Sequence, residues 1–163
     1  MKKQRLTFLV LSDSHGDIFN LQTAIKRAGR IDAVIFLGDG LADFSEVCLP
    51  EVCSFFAVRG NCDYFTTDPL TKDCAKTAEI TVFDKKIVFT HGDLYGVKYS
   101  MDGLYSMAKS RGASVVLFGH THRPHEEYTD GVCYFNPGSL STTPSAGVLV
   151  IGEDGVCFSF MEL

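Results

Sequence analysis

The chain has 163 residues, of which 45% are hydrophobic and 21% are charged, so it can bury a sizeable core without disulfides or structural metals. Its formal net charge of −5 offers no basic face for long nucleic acids. No apolar run approaches the roughly 18 residues of a membrane-spanning helix. We expect one domain over residues 1–163, with no membrane partner.

The start of the chain and its cysteines both favour a cytoplasmic protein. Residues 1–5 are basic, but the apolar run after them ends at Leu11, short of the about 7–15 residues of a secretory signal. The six cysteines contain no Cys-x-x-Cys pair, and a chain with a good core needs no disulfides. We therefore expect reduced thiols.

The first half of the chain alternates apolar strands with polar loops and helices. Short apolar runs predict buried strands over residues 7–11, 33–37 and 54–58. Apolar residues at helical spacing predict a helix over residues 18–28, with Asp17 as its cap. A second, short helix is expected over residues 43–49.

The residue pattern of the second half predicts a different mixture of elements. They are, in order, a hairpin over 79–83 and 86–89, a helix over 99–111, a buried strand over 115–118 and a final hairpin around 153–155. The whole pattern indicates an α/β fold in which two sheets pack face to face with helices outside.

Every predicted buried strand ends near a glycine and an acid, an amide or an imidazole. These side chains are Asp13, His15, Asp39, Asn61, His91, His120 and His122. Ligands bind at the carboxyl ends of strands in open α/β sheets, and four of the five histidines occupy these positions. The mixed nitrogen and oxygen donors suit Mn, Fe, Zn, Ni or Co, and seven of them suit two metals that share a carboxylate.

The last of these loops carries two histidines one residue apart. If residues 120–122 remain extended, both imidazoles point the same way because the strand period is two. Taken alone, His120 and His122 therefore predict one metal held by a neighbouring pair of imidazoles.

Five motifs in chain order resemble those of the calcineurin-like metallophosphoesterases. They are Asp13-Ser14-His15-Gly16, Gly38-Asp39, Gly60-Asn61-Cys62-Asp63, His91-Gly92 and Gly119-His120-Thr121-His122. The short chain, Cys62 and the Asn136-Pro137-Gly138-Ser139 turn are most similar to the small YfcE-like phosphodiesterase branch. The resemblance implies a four-layer α/β/β/α sandwich with two mixed sheets.

The same resemblance implies how two divalent cations would be held. One would be bound by Asp13, His15, Asp39 and His122, and the other by Asp39, Asn61, His91 and His120. In that arrangement Asp39 bridges the cations, and the neighbouring histidines serve different ones. Mn2+ is the expected metal, with Ni2+, Fe2+, Zn2+, Co2+ and Mg2+ as alternatives.

The implied activity is hydrolysis of small phosphodiesters by a metal-bridging hydroxide, with monoesters left open. The catalytic group would be Asp39, Asn61, Cys62 and His91. Many relatives have a histidine at the position of Cys62 that protonates the leaving oxygen. Because a thiol is a poor hydrogen bonder, we expect a preference for good leaving groups, with His125 as the other candidate acid.

Several side chains near the motifs have two possible roles. Arg59 and Arg123 are candidate phosphate clamps or structural ion-pair partners. Asp63 and Asp93 orient a ligand or merely form turns. The aromatic residues Tyr64, Phe65 and Tyr95 are candidates for an apolar wall.

A second hypothesis is a non-catalytic metal-binding or protein-interaction scaffold. The retromer subunit that resembles this fold serves mainly as a scaffold and lacks part of the histidine set. This chain retains all seven ligand types at matching positions, which favours an enzyme acting on a small phosphoester. A homo-oligomer is compatible with the sequence.

Overall fold

The computed structural model describes residues 5–64 and 66–163. Residues 1–4, which carry most of the basic start of the chain, and Phe65 of the expected aromatic wall lie outside the described residues. The elements in chain order are β1 (Arg5–Leu11), α1 (Ile18–Ala28), β2 (Ala33–Phe36), β3 (Ser54–Ala57), β4 (Thr77–Val82), β5 (Lys85–Thr90), α2 (Asp102–Arg111), β6 (Val115–Leu117), β7 (Pro124–Thr129), β8 (Val132–Pro137), β9 (Ser145–Gly152) and β10 (Gly155–Glu162). Short 3-10 helices cover Leu41–Glu46 and Asp93–Tyr95.

The strands form two mixed sheets, as the family resemblance implies, and each sheet has five strands. The first has the order β10-β9-β1-β2-β3 and the second the order β4-β5-β6-β8-β7. In the first, β1, β2 and β3 are parallel, and β9 and β10 complete the sheet as an antiparallel pair. In the second, β5, β6 and β8 are parallel, with β4 and β7 antiparallel at the edges.

Strand β1 shows why the central strands are apolar along their whole length. Phe8 and Val10 lie between the two sheets, whereas Leu9 and Leu11 face α1 on the outer side. Alternate residues of a strand point to opposite faces, so a strand covered on both sides needs apolar residues at every position. Each such side chain stabilises the fold by about 1.5–3 kcal/mol when fully buried.

Each helix covers the outer face of one sheet, which gives the predicted four layers. Leu21 and Ile25 of α1 pack with the first sheet, and Leu104 and Met107 of α2 pack with the second. Asp17 caps α1, because its side chain accepts the Asn20 N–H at 2.9 Å. No helix among the described residues is long and apolar enough to span a membrane.

Two of the predicted helices have boundaries that differ from those in the structure. The helix expected over 43–49 is a 3-10 helix at Leu41–Glu46, and the chain is extended from Val47 onward toward Pro50, whose ring disfavours helical backbone at the residue before it. The helix expected from residue 99 begins at Asp102. Its N–H is accepted by the hydroxyl of Ser100 at 3.1 Å, so the residues before it form a turn.

The loops after neighbouring parallel strands are hydrogen-bonded to each other within each sheet. The N–H of Asp13 donates to the carbonyl of Gly38 at 2.9 Å, and that of Gly119 to the carbonyl of His91 at 2.9 Å. These bonds bring the ends of β1 and β2 together in one sheet, and those of β5 and β6 in the other. The His120 N–H also donates to Asp13 Oδ2 at 3.1 Å across the two sheets, so the predicted ligands meet at one edge of the sandwich.

Candidate active site

Two groups of possible metal ligands lie side by side at this edge. Asp13, His15 and His122 form one group, and Asp39, His91 and His120 form the other; within each, the donor atoms lie within 4.8 Å of one another. The neighbours His120 and His122 belong to different groups. The interpretation of that pair as two ligands of one metal is therefore not supported, whereas the split between two groups matches the resemblance.

The first group converges on one oxygen atom of Asp13. The Nε2 atom of His122 lies 3.0 Å from Asp13 Oδ1, and that of His15 lies 3.5 Å from it. The two Nε2 atoms are 3.3 Å apart. Asp13 is fully buried, while the two imidazoles are about one-third exposed, so the group opens to solvent on the histidine side.

The second group converges on Asp39. Its Oδ2 atom lies 3.3 Å from His91 Nε2, and His91 Nε2 lies 3.1 Å from His120 Nδ1. The same Asp39 oxygen is 3.8 Å from His15 Nε2 in the first group. One carboxylate oxygen therefore faces both groups, which is where a ligand shared by two cations would lie.

One oxygen atom of Asp13 lacks a hydrogen-bond donor, which fits a role as a metal ligand. Asp13 Oδ1 is buried and makes no hydrogen bond, although three imidazole Nε2 atoms lie 3.0–3.9 Å away. The other oxygen, Oδ2, accepts from Ser12 Oγ at 2.6 Å and from the His120 N–H at 3.1 Å. A buried oxygen without a donor is costly, and a cation at this point would satisfy it.

Hydrogen bonds fix the orientation of two of the imidazoles. His91 Nδ1 lies 2.8 Å from the carbonyl oxygen of Leu37, to which it must donate, so in the neutral imidazole Nε2 keeps its lone pair. His122 Nδ1 lies 3.0 Å from Thr142 Oγ1, again leaving Nε2 toward the group. Such outer partners set the tautomer of metal-binding histidines.

The charges within the second group are strongly coupled. Burial opposes ionisation of Asp39, but its hydrogen bond and charge interaction with His91 outweigh burial and hold the pKa of that carboxyl well below its usual range. Burial lowers the pKa of His91, and the facing Asp39 and Asp13 raise it overall. His120 has a lowered pKa because of burial, the neighbouring His91 and Lys98.

The backbone of the ligands is not extended. Five of them have left-handed φ values between 43° and 67°, namely Asp13, His15, Asp39, His120 and His122. This conformation is uncommon outside glycine and persists only where the surroundings impose it. It turns His120 and His122 to different groups, so the assumption of an extended segment at 120–122 is wrong.

Asp63 organises the loop that carries Asp39. Its carboxylate accepts four backbone N–H groups, those of Asp39 (2.7 Å), Gly40 (2.9 Å), Leu41 (3.0 Å) and Gly60 (2.9 Å). Of the two roles left open for Asp63, the structure therefore favours orientation of a ligand. Asp93 instead pairs with Lys76 at 3.2 Å, with Oδ1 buried and without a partner.

Asn61 and Cys62 lie at the exposed rim of the groups. The amide of Asn61 donates to Cys62 Sγ at 3.4 Å, and the Cys62 thiol lies within 4.8 Å of ligand atoms of His15 and Asp39. The Cys62 N–H donates to Asp39 Oδ1 at 2.8 Å. Burial and the nearby Asp39 raise the pKa of the thiol, which favours its protonated form.

The two candidate clamps differ in their surroundings. The guanidinium of Arg59 donates to the carbonyls of Asp63, Tyr64 and Lys72 at 2.7–3.3 Å. Its role is thus structural, but through backbone carbonyls and not through the ion pair that was the alternative. Arg123 is exposed and lines a pocket beside the His120–His122 loop. Of these two arginines, Arg123 is the one whose guanidinium is available to a substrate.

Some residues that shape the site were not identified from the sequence. Asp43 accepts from Ser14 Oγ at 2.6 Å and from the Gly16 N–H at 2.9 Å, and thus holds the loop that presents His15. Thr142 orients His122. Nothing local in the sequence indicates either contact, because both join segments more than 19 residues apart.

The chain is similar to known proteins over most of its length. The calcineurin-like phosphoesterase superfamily domain matches residues 6–153. A probable metallophosphoesterase, YsnB of Bacillus subtilis (strain 168), is 31% identical, over 96% of this chain and 91% of that protein. Phosphodiesterase YfcE of Escherichia coli (strain K12) is 26% identical, over 83% of this chain and 80% of that protein.

Solved structures share the fold. A predicted phosphoesterase from Streptococcus pneumoniae TIGR4 has a TM-score of 0.78 and 25% identity, over 98% of this chain and 91% of its own. Vacuolar Protein Sorting 29 from Cryptosporidium parvum has a TM-score of 0.74 at 16% identity, over 99% and 100% of the two chains, and at that identity it supports the fold alone. From the domain match and the identity with YsnB, the chain belongs to the calcineurin-like phosphoesterase superfamily.

Proposed function

We propose that this protein is a phosphodiesterase that hydrolyses small phosphodiesters with two divalent cations. The observation that carries the proposal is the position of Asp39 Oδ2, 3.3 Å from His91 Nε2 in one group and 3.8 Å from His15 Nε2 in the other. Two cations that act together need one shared ligand and separate ligands on either side. Asp13, His15 and His122 supply one side, and Asn61, His91 and His120 the other.

Two cations held here would supply Lewis acidity, by which they activate a water molecule and neutralise phosphoryl oxygens. Hydrogen bonds within the chain hold the metal ligands in position. Ser12 and the His120 N–H fix Asp13, and Leu37 fixes His91. Because a ligand held before substrate arrives needs no reorganisation, the site is prepared for chemistry as well as for binding.

The donor set favours borderline transition metals over calcium. It combines four imidazole nitrogens with carboxylate and amide oxygens, and such sets suit Mn, Fe, Co, Ni or Zn. We propose Mn2+ as the working metal, with Ni2+, Fe2+, Zn2+, Co2+ and Mg2+ to be compared beside it. The substrate is a small phosphodiester, with monoesters as the competing class.

Hydrolysis of bis(p-nitrophenyl) phosphate by the purified protein with Mn2+ tests the proposal. We expect metal-dependent release of p-nitrophenol and a loss of at least about 10²-fold for Asp39→Asn. Asp130→Asn is the matched control, because Asp130 also has a left-handed φ (50° against 60°) but lies exposed in the β7–β8 turn. Absence of turnover with every metal would overturn the proposal.

The scaffold hypothesis predicts a different result. If the two groups serve only to hold metal or a protein partner, Asp39→Asn changes metal binding and stability, and no phosphoester is hydrolysed before or after the substitution. The likeness in fold to Vacuolar Protein Sorting 29 is why this alternative is tested. The metal-dependent assay separates the two.

A further inference from the structure

A pocket of about 580 Å³ lies next to the candidate metal ligands. Its walls are Val97, Lys98, Met101, Phe118, Thr121, Arg123, Pro124 and His125. Thr121 stands between His120 and His122 in the chain, and Arg123 follows them directly. The pocket therefore opens beside the loop that carries these two histidines, and its size suits a small organic molecule.

The pocket has an apolar wall and two cationic side chains. Pro124 is exposed and Met101 and His125 are half-buried, so they provide a surface for a flat ring, with Phe118 and Val97 buried behind them. Lys98 and Arg123 are exposed, and no described carboxylate lies within 4.0 Å of either. The eight lining residues contain no acid, although the whole protein carries a net charge of −5.

The far wall is held rigidly by a hydrogen-bonded network around His125. His125 Nε2 lies 3.1 Å from Glu127 Oε2, and Glu127 Oε1 accepts from Tyr105 Oη and Thr129 Oγ1, both at 2.6 Å. The imidazole also packs edge-on against Phe118, with ring centroids 5.9 Å apart. The Glu127 carboxylate is thus hydrogen-bonded to these three side chains and does not pair with Lys98 or Arg123.

From this combination we infer that the pocket binds the leaving group of the substrate, and that this leaving group is aromatic and carries a second negative charge. The ring would pack on Met101 and Pro124, and Lys98 and Arg123 would bind the added anion. The inference rests on the proposed phosphodiesterase function and narrows its substrate class. It assigns specificity to Lys98, which belongs to none of the five sequence motifs.

A matched pair of substrates tests the inference. The methyl phosphodiesters of 4-hydroxybenzoate and 4-hydroxybenzamide have the same shape and differ by one negative charge. We expect the wild-type protein to favour the carboxylate in kcat/KM by roughly tenfold, since each exposed charge pair contributes a factor of about two to five. The preference should fall as ionic strength rises, because exposed charges are screened.

Substitution of Lys98 or Arg123 by an uncharged residue should weaken this preference. In Lys98→Gln we expect the carboxylate-to-carboxamide ratio to fall several-fold, while hydrolysis of the diester with the neutral carboxamide is nearly unchanged. In Arg123→Gln, which alters a candidate phosphate clamp, we expect the ratio to fall by a similar factor. Lys26→Gln is the matched control, because Lys26 is an exposed lysine on α1, on the outer face of the other sheet. It removes the same charge from the protein but should leave the ratio as it is.

A binding measurement gives a readout that does not depend on turnover. Adenosine monophosphate titrated into the metal-free protein should shift the NMR resonances of the His125 ring, and the shift should be lost in Lys98→Gln/Arg123→Gln. If both diesters are hydrolysed at the same rate and the variants change nothing, the pocket assignment is wrong while the phosphodiesterase proposal stands. If neither diester is hydrolysed but the His125 shift is seen, the phosphodiesterase proposal fails and anion binding in the pocket survives.

Discussion

The carboxylate of Asp63 accepts the backbone N–H of Asp39 at 2.7 Å, so one acid positions another that faces both groups of metal ligands. The same carboxylate accepts three further N–H groups of the two adjoining loops. Gly60 contributes by its small size, because a Cβ at this residue would lie 2.1 Å from Asp39 Oδ1. The position of the shared ligand is thus set from behind by residues that bind no metal.

Asp63→Ala should weaken both the fold and metal binding. It leaves four backbone donors without their acceptor, and we expect the free energy of unfolding to fall by at least about 2–3 kcal/mol. Metal affinity should fall by about 10–100-fold, as for other residues that orient a ligand. Urea unfolding and calorimetric titration with Mn2+ measure the two effects.

The control for this substitution is Asp73→Ala, which removes an exposed acid from the same region of the chain. It should change either quantity little. If Asp63→Ala were as mild as Asp73→Ala, the four hydrogen bonds would not organise the Asp39 loop, and the assignment of Asp63 would be wrong.

Removal of the metal should lower the Tm by the sum of two contributions, one from each bound cation. At a free Mn2+ concentration about 100 times the Kd, each bound cation contributes about 2.7 kcal/mol, or roughly 5–10 °C in Tm for a chain of this size. Chelation should reverse the whole shift. His15→Gln, which alters only the first group and the contact with Asp39, should keep part of it.

Differential scanning fluorimetry against Mn2+ measures these shifts, with Asp130→Asn as the unchanged control. An equal and complete Tm shift in His15→Gln would contradict a role for His15 as a ligand. No shift in the wild-type protein with any of the candidate metals would contradict metal binding at both groups.

Cys62→Ala should cost little activity on an aryl phosphodiester. The thiol is a weak hydrogen-bond donor, and p-nitrophenolate leaves without much help from an acid. We expect less than about a threefold loss in kcat, whereas removal of a true general acid costs about 10²–10⁴-fold. Steady-state kinetics on bis(p-nitrophenyl) phosphate give the comparison.

Asn61→Ala is the informative neighbour of Cys62→Ala, because it removes a proposed metal ligand from the same loop. It should lose far more activity and should require more Mn2+ for half-maximal rate. A loss in Cys62→Ala as large as that in Asn61→Ala would show that the thiol contributes directly to the reaction.

The fold could be predicted from the sequence largely because its central strands are buried on both faces. Leu9 and Val10 face opposite layers, and the resulting unbroken apolar runs are easy to identify. The ends of helices were harder. The residues from Val47 to Pro50 have no strong stop signal apart from the proline, and the start of α2 depends on the side chain of Ser100.

The candidate site was predictable as a set of residue types and much less as a geometry. Periodicity alone placed His120 and His122 on one side of an extended segment, and the motif resemblance was needed to separate them. Their left-handed φ values of 67° and 60° are imposed by contacts from distant loops. The hydrogen bonds of Asp43 and Thr142 are long-range for the same reason, and no local pattern encodes them.

Tyr105→Phe tests the network that supports the pocket wall and has a defined pH dependence. The hydrogen bonds from Thr129 and Tyr105 lower the pKa of Glu127 below its usual 4.5, so their stabilisation is present above about pH 4.5 and is lost as the pH falls through the folded pKa. The bond to Glu127 raises the pKa of Tyr105 from 10.0 to about 12, so stabilisation is complete below pH 10 and is lost between pH 10 and about 12. Because the pair is partly exposed, we expect Tyr105→Phe to cost about 1 kcal/mol between pH 5 and 9, and less at both extremes. Urea unfolding of both proteins across this range measures the difference; the absence of any cost would mean that Tyr105 contributes only the packing of its ring against Tyr134, which phenylalanine keeps.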